Sequence, residues 1–488
     1  MGLSLFQLGS VIGVLRMGKP LDHYLKQQKS AFLSNPMPDL QSRLADLEKI
    51  LELVQSHQSE ICAAIGKDFG QRSATETALL EVFTSIEGIK YTRKHLSRWM
   101  KVQKRHTSMW FKPAKNRLLP QPVGVVGIIV PWNYPLFLAI APLVAAIAAG
   151  NRVMVKMSEN SQHLCQLLQG LFAQSFNEDQ ICFIAEEGET GKAFSQLALD
   201  HLVFTGSSTT GKAVMANAAK NLVPVTLELG GKSPAIVADD YDLAKAMQRI
   251  LGGKAYNSGQ TCVAPDYLYV PEHRLDDVIK HAKKIMAKRF TDIQHPDYTS
   301  IIDDTAFARL VDTLEDAKAK GAEIHNLIPN AEHDIENRKF PLHLVTNVNE
   351  TMLVMQREIF GPILPIKTYQ SIDDVLTEIN AGERPLALYL FTNDKLLQQT
   401  VIDQTRSGGV TINDVMVHVA QDDLPFGGIG NSGIGHYHGR EGFERLSKMR
   451  PVMYQGSVSS LKLLYSPYSS IGKRMINYII NRKLGKYQ

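Results

Sequence analysis

Apolar positions recur along this chain with two different periods, and the change between them divides it. Leu40, Leu44, Leu47, Leu51 and Val54 are spaced four, three, four and three residues apart, which lines one face of an amphipathic helix. Helical spacing continues to about Met100. From Arg105 to Pro122 the texture changes to Trp110, Phe111 and prolines, predicting extended chain that leaves the body of a domain. Alternation then begins. Gly124–Val130 reads as a strand, Leu136–Ala149 as a helix stopped by Gly150-Asn151, and Arg152–Lys156 as the next strand. Strands at Ile181–Ala185, His201–Thr205 and Val223–Leu229, with a helix after Ser208, continue the series. Strands alternating with helices predict a parallel sheet of βαβ units, which binds ligands at the carboxyl ends of its strands. After Gly230-Gly231 a second α/β stretch runs to about Val410, with helices at Leu243–Leu251, Val278–Ala287 and Thr305–Ala319. Asn413–Gly439 is rich in Gly, Asp and His and reads as loop.

Composition changes this picture little. The 488 residues suggest two to four domains. A formal charge of +4 singles out no nucleic acid or acidic partner. The four cysteines, Cys62, Cys165, Cys182 and Cys262, form no C-x-x-C pair. That argues against a disulfide framework or a structural metal and fits a reducing, cytoplasmic setting. Met1–Val14 is apolar but lacks a basic start and a cleavage site. It reads as a loose extension, with Met17 as an alternative start. In Ile471–Lys486, Ile471, Met475, Ile476, Ile479, Ile480 and Leu484 oppose Lys473, Arg474, Arg482 and Lys483, a basic amphipathic tail.

Four stretches carry chemistry. Gly206-Ser207-Ser208-Thr209-Thr210-Gly211-Lys212 opens a helix after a strand, like a phosphate loop, but Ala213 replaces the metal-binding hydroxyl. What survives is a turn whose N–H groups suit a dinucleotide pyrophosphate better than a kinase substrate. Cys262 sits in the polar Gly259–Ala264 stretch, unusual for an inert core cysteine. Glu228, within an apolar β-rich run, suits a general base, unless it simply pairs with Lys232 or another cation. Asn133, at a strand end, suits an oxyanion donor, unless it simply caps the Leu136 helix. Glu358, in a Glu-Ile-Phe-Gly-Pro turn, could accept sugar hydroxyls.

Pro131–Pro135, Val155–Glu159, Phe204–Gly211, Leu227–Pro234, Gly259–Ala264, Glu358–Pro362 and Pro425–Gly433, taken in this order, resemble the aldehyde dehydrogenase superfamily. The resemblance spans about Leu40 to Tyr454. Asn413–His418 and Ser432–Gly439 are most similar to the class 3 branch, which handles aromatic and fatty aldehydes, and within it to bacterial coniferyl aldehyde dehydrogenases. The resemblance implies an α/β fold: a Rossmann-like dinucleotide-binding domain (18–104 and 123–231), an α/β catalytic domain (232–412), a small β oligomerisation element (105–122 and 440–460) and the tail (461–488). It implies a Cys262 nucleophile, an oxyanion site at Asn133 and the Cys262 N–H, and Glu228 as base for thioester hydrolysis. For the cofactor it implies Lys156 and Glu159 at the adenosine ribose, Gly206, Ser207 and Gly211 near the pyrophosphate, and Glu358, Phe360 and Trp132 near the nicotinamide. Glu159 favours NAD over NADP, since a 2′-phosphate would meet a carboxylate. Met157 and Arg357 depart from the family's usual Pro and Glu, at positions without a chemical role. A homodimer is implied.

Other readings stay open at this level. The thioester could be resolved by CoA, although such enzymes commonly lack the Glu at position 228. The fold could also serve a protein without catalysis, which the joint presence of Cys262, Glu228 and Asn133 opposes. The tail could touch a membrane surface, but packing over the substrate entrance or on a partner subunit is the favoured expectation. His436 and His438 are expected to be loop polar groups rather than metal ligands.

Overall fold

The computed structural model describes residues 20–457, 459, 462 and 465–481. The Met1–Val14 stretch, Met17, Arg482, Lys483 and Leu484 lie outside the described residues. Three sheets organise the described residues. The first has six strands, in the order Gly433–Ile434, Val225–Leu229, His201–Gly206, Val125–Ile129, Arg152–Lys156 and Ile181–Ile184. All run parallel except Gly433–Ile434, which pairs antiparallel to Val225–Leu229. Successive side chains on a strand point to opposite faces. Val126 and Ile128 accordingly pack with the helices Leu40–Ser56, Phe137–Ala149 and Gln162–Phe172, while Val125 and Ile129 pack with Leu25, Phe194 and Val214. Burial on both faces explains why these strands read as nearly unbroken apolar runs. The body is Rossmann-like, as expected.

The second sheet has seven strands: Glu323–Asn326, His343–Thr346, Ile363–Tyr369, Tyr267–Pro271, Pro234–Val237, Ala387–Phe391 and Gly409–Ile412. Only the edge strand Glu323–Asn326 is antiparallel. Its helices run longer than the pattern alone indicated, at Leu243–Ala255, Leu275–Arg289 and Asp304–Ala319. Asp242 and Asp303 cap the first and third of these, accepting from Lys245 and Ala306 N–H. The stretch read as extended chain forms strands Gln103–Arg105 and Lys115–Pro122, and Lys115–Pro122 pairs along its length with Ser447–Tyr454 in a third, antiparallel sheet. Helix Gly439–Arg445 precedes that last strand, and its Phe443 is buried in the first body beside Trp99. Among the described residues no helix is long and apolar enough to cross a membrane. The tail forms helix Ser470–Asn481, with Ile471, Tyr478 and Ile480 exposed.

One buried ion pair joins these parts around the site. The helix from Ala74 to Trp99 passes through a π-helical turn at Ala78–Phe83, which carries Glu81. Glu81 and Arg72 pair at 2.8 Å with both side chains fully buried. The Glu81 carboxylate also accepts from the Leu136 and Phe137 N–H groups at 2.7 and 3.2 Å, capping the helix Phe137–Ala149. Asn133 therefore does not serve as that cap. Arg72 donates instead to the Asn133 carbonyl at 2.9 Å and lies over the rings of Phe69 and Tyr134. Breaking a buried pair on one side strands the other charge. Arg72→Met is expected to cost about 3–5 kcal/mol, read as a lowered urea midpoint. Adding Glu81→Gln, which removes the stranded charge and keeps the cap, should restore part of that loss. A single variant of wild-type stability would contradict the role given to this pair.

Candidate active site

Three neighbouring parallel strands of the first sheet end side by side, and each delivers residues to one cavity of about 280 Å³. Val125–Ile129 leads into Pro131, Trp132 and Asn133. His201–Gly206 supplies Thr205 and Gly206 and is followed by Ser207. Val225–Leu229 supplies Glu228 and is followed by Gly230. The opposite wall comes from segments that precede strands of the second sheet: Cys262, Glu358, Phe360 and Leu386, with Arg309 beside them. The cavity thus lies where the carboxyl ends of one sheet meet the amino ends of the other.

Cys262 is placed by a loop in an uncommon conformation. After helix Leu243–Ala255, Asn257, Ser258 and Gly259 all take positive φ, at 50°, 50° and 74°. A side chain at Gly259 would stand 2.4 Å from the Gly361 carbonyl, so glycine is required there. Two left-handed non-glycine residues persist only where surroundings over-determine them. Asn257 donates its backbone N–H to Glu76 at 2.6 Å and its side-chain amide to the Asn133 and Gln260 carbonyls. Ser258 donates to the Thr299 carbonyl, and Gln260 bridges Asn257, Ser300 and Ile302. The Asn133 carbonyl is therefore shared between Arg72 and Asn257, which ties the amide of Asn133 to the loop holding Cys262.

Burial sets the electrostatics. It pushes the half-buried Cys262 thiol up to about 12, with the carboxylates of Glu358 and Glu228 adding to the effect. Glu228 is 2% exposed, and burial holds its carboxyl well above the usual range. Among the described residues neither of its oxygens has a hydrogen-bond partner. Lys232 is not its counter-ion. That ammonium pairs with Asp266 and donates to the Val354 and Arg357 carbonyls at 2.9 and 3.2 Å. Glu358 is raised to about 8, first by burial and then by Asp266, against the Gly231 N–H, Lys232 and Arg309. It packs so closely on Gly230 that a Cβ there would lie 2.1 Å from its carboxylate. Arg309 reaches the Glu358 and Phe360 carbonyls at 3.4 Å, and Phe360 stands edge-on to Trp132 with centroids 5.3 Å apart.

Eight of the residues singled out from the sequence thus meet in one cavity: Cys262, Glu228, Asn133, Glu358, Phe360, Trp132, Gly206 and Ser207. Three do not line it. Lys156 ends the strand Arg152–Lys156 and pairs with Glu186, and Glu159 is exposed on the following turn. Gly211 is buried one turn into the helix Ser208–Ala219, against Leu229 and Phe204. Ser207 caps that helix by accepting from the Thr210 N–H. Arg309 and Leu386 were not foreseen, because nothing local marks them, and Phe426, although within the Pro425–Gly433 stretch, was given no role. Lys254, fully buried eight residues before Cys262 and lowered to about 8 by burial, was also missed. His436 is exposed as a loop residue, but His438 is not. It is buried between Phe137 and Phe426, because the loop folds back onto the helix Phe137–Ala149.

The geometry agrees with what the chain is similar to. The aldehyde dehydrogenase family profile matches residues 19–452. A probable coniferyl aldehyde dehydrogenase of Pseudomonas aeruginosa is 46% identical over 93% of this chain and 95% of its own length. A coniferyl aldehyde dehydrogenase of a Pseudomonas species is 40% identical over 97% and 98%. Among solved structures, the substrate-bound state of Staphylococcus aureus AldH superposes with a TM-score of 0.88 at 34% identity, covering 95% of this chain and 100% of that one. The Mycobacterium tuberculosis aldehyde dehydrogenase complexed with NAD+ gives 0.81 at 26% identity, covering 90% of each. This chain belongs to the aldehyde dehydrogenase family and is an NAD(P)-dependent oxidoreductase acting on aldehydes.

Proposed function

We propose that the chain oxidises an aromatic aldehyde of the coniferyl type to its carboxylic acid, with NAD preferred and NADP as the alternative. One observation carries the chemistry: a thiol, a carboxyl group and a side-chain amide from three distant stretches, Cys262, Glu228 and Asn133, wall a single cavity. The substrate class is supported by the names of the similar Pseudomonas proteins.

The residues fit the dinucleotide. The buried Glu358 carboxylate, made possible by Gly230, would hold the nicotinamide ribose, with Phe360 and Trp132 beside the ring. Gly206 and Ser207, at a helix N-terminus, would face the pyrophosphate. Gly211 would support that turn from within the helix. Lys156 and Glu159 would reach the adenosine ribose, and pairing of Lys156 with Glu186 leaves little positive charge for a 2′-phosphate. When bound, the dinucleotide supplies the hydride acceptor. The Cys262 thiol would give up its proton to water as its sulfur attacks the carbonyl carbon, and the oxyanion would be met by the Asn133 amide and the Cys262 N–H. One such donor contributes about 3–4 kcal/mol. Once the hydride has left, the thioester on Cys262 is cleaved by water that loses its proton to Glu228. The burial that raises the Glu228 pKa also makes its ionised form a stronger base. A base at that place supports water, rather than CoA, as the acceptor.

The six-stranded body (18–104 and 123–231) would hold the cofactor and the seven-stranded body (232–412) the nucleophile. The small sheet of 105–122 and 440–460 would join two copies. Its outer strand Ser447–Tyr454 leaves one edge unpaired, with Met453 and Tyr454 exposed, and such an edge invites a second chain. The apolar side of helix Ser470–Asn481 would pack on that partner rather than on a membrane. Four free cysteines fit a cytoplasmic setting.

Cys262→Ala should abolish NADH formation while leaving NAD binding, followed by protein fluorescence, within about twofold; normal turnover would sink the assignment. Glu228→Gln should give an NADH burst in stopped flow followed by slow turnover, and equal loss of both phases would argue against its role in hydrolysis. Because the Cys262 thiol lies near 12, iodoacetamide labelling of the cofactor-free protein should speed up about tenfold per pH unit from 7 to 10. A plateau near pH 8, read by mass spectrometry, would show a thiol activated without cofactor.

A further inference from the structure

Helix Leu243–Ala255 stops where its hydrogen-bond ladder is diverted. The Tyr256 N–H still donates to the Gly252 carbonyl, four residues back. The next rung of an α-helix would take the Asn257 N–H to the Gly253 carbonyl. That N–H goes instead to the Glu76 carboxylate, at 2.6 Å. From there the chain turns left-handed, with Asn257 at φ 50°, ψ 32° and Ser258 at φ 50°, ψ 36°. Five residues after Asn257 it reaches Cys262. Asn257 is fully buried, so its N–H needs a partner inside the protein. Glu76 and the helical rung compete for it. Without Glu76 the N–H returns to the rung, and the helix runs on into residues that now form the turn.

Glu76 is itself held in place. It lies in the first turn of the helix that begins at Ala74, where Ser73 caps by accepting from the Glu76 N–H at 3.1 Å. The Ser73 hydroxyl donates onward to Asp297 at 2.6 Å. The charged and titratable groups that act with Glu76 are Arg72 just before this helix, Glu81 on the π-helical turn, Asp297, and Tyr134 beside Asn133. Burial raises Glu76 to about 7, against Arg72 and the Asn257 N–H, and Glu81 and Asp297 add to the rise. The Asn257 N–H thus favours the ionised carboxyl. By linkage the ionised carboxyl favours the contact with Asn257 to the same degree. A charge-assisted hydrogen bond is roughly twice as strong as a neutral one.

We propose that Glu76 is a positioning residue for the nucleophile: by taking the Asn257 N–H from the helix it holds the left-handed turn that presents Cys262. The inference rests on the reading of Cys262 as the nucleophile. Glu76 does not line the catalytic cavity and acts through Asn257. The Asn257 side chain extends the effect, since its amide donates to the Asn133 carbonyl at 3.0 Å. The conformation of one residue therefore sets both the sulfur and the oxyanion donor. The hold depends on an acceptor oxygen, so an amide at position 76 keeps it and a methyl group removes it. It also tightens as Glu76 loses its proton, and so strengthens as pH rises through about 7.

The test follows the first-turnover rate of NADH formation by stopped flow in the full-length protein. The substrate is whichever of coniferyl aldehyde, benzaldehyde and decanal the wild type oxidises fastest. At pH 8, Glu76→Ala should lower that rate about tenfold or more, the scale of one hydrogen bond to a charged group. NADH affinity, read by fluorescence, should stay within about twofold. Glu76→Gln should match wild type within about twofold at pH 6, where Glu76 is also neutral, and fall behind it about fivefold at pH 8.5. Titrations shared by both proteins, such as that of Glu228, cancel in this ratio. A wild-type rate in Glu76→Ala overturns the proposal, as does a ratio of wild type to Glu76→Gln that does not change with pH. Should Glu76→Ala fail to fold, that ratio decides alone. Cys262→Ala separates the two readings. Normal turnover there overturns the nucleophile and this inference with it, whereas an inactive Cys262→Ala beside an unaffected Glu76→Ala overturns this inference alone.

Discussion

Arg72 and Glu81 form the contact on which the site's geometry depends. An ion pair removed from water gains little for stability unless further hydrogen bonds complete it. Here Glu81 closes the N-terminus of the helix Phe137–Ala149, and Arg72 reaches the carbonyl of Asn133. That carbonyl also accepts from Asn257 in the loop leading to Cys262. Two charges buried outside the cavity thus set the relation between an amide and a thiol that belong to different sheets. A helix cap, a strand end and a strained loop share one network, so none can shift independently of the others.

The same dryness that makes this network rigid governs the reactive groups. Cys262, Glu228 and Glu358 are all displaced toward their neutral forms, and Lys254 toward its neutral amine. Each displacement has burial as its first cause. The acids are also near one another, so ionising one raises the others. The three acids of the site therefore carry less negative charge than they would in water, while Arg309 lines the same cavity.

The sequence made much of this legible, for reasons that differ by residue. The βαβ alternation appeared because strands buried on both faces must be apolar. Cys262, Glu228 and Glu358 stood out because polar groups in glycine-bearing or apolar surroundings need a reason to be there. The pairings stayed hidden. Lys232, four residues from Glu228, stood as the alternative to a catalytic role for that carboxyl, yet it pairs with Asp266. A helix cap was the alternative to an oxyanion role for Asn133, yet that cap comes from Glu81, fifty-five residues before Leu136. His438 looked like a loop residue because a glycine-rich stretch gives no local sign that it folds back into a core. In each case the deciding partner is distant in sequence, and no periodicity encodes it.

The π-helical turn at Ala78–Phe83 carries a further consequence. A π turn fits one additional residue into a helix, and each residue of an α-helix advances the side chains by about 100°. Deleting one residue from this turn would leave a longer, more regular helix and would rotate Glu81 away from Arg72 and from the amides it caps. The reactive groups would all remain in the chain, yet their framework would lose its anchor. The irregularity works as a phase setting. It fixes the angular register of a helix against the loop that bears the nucleophile.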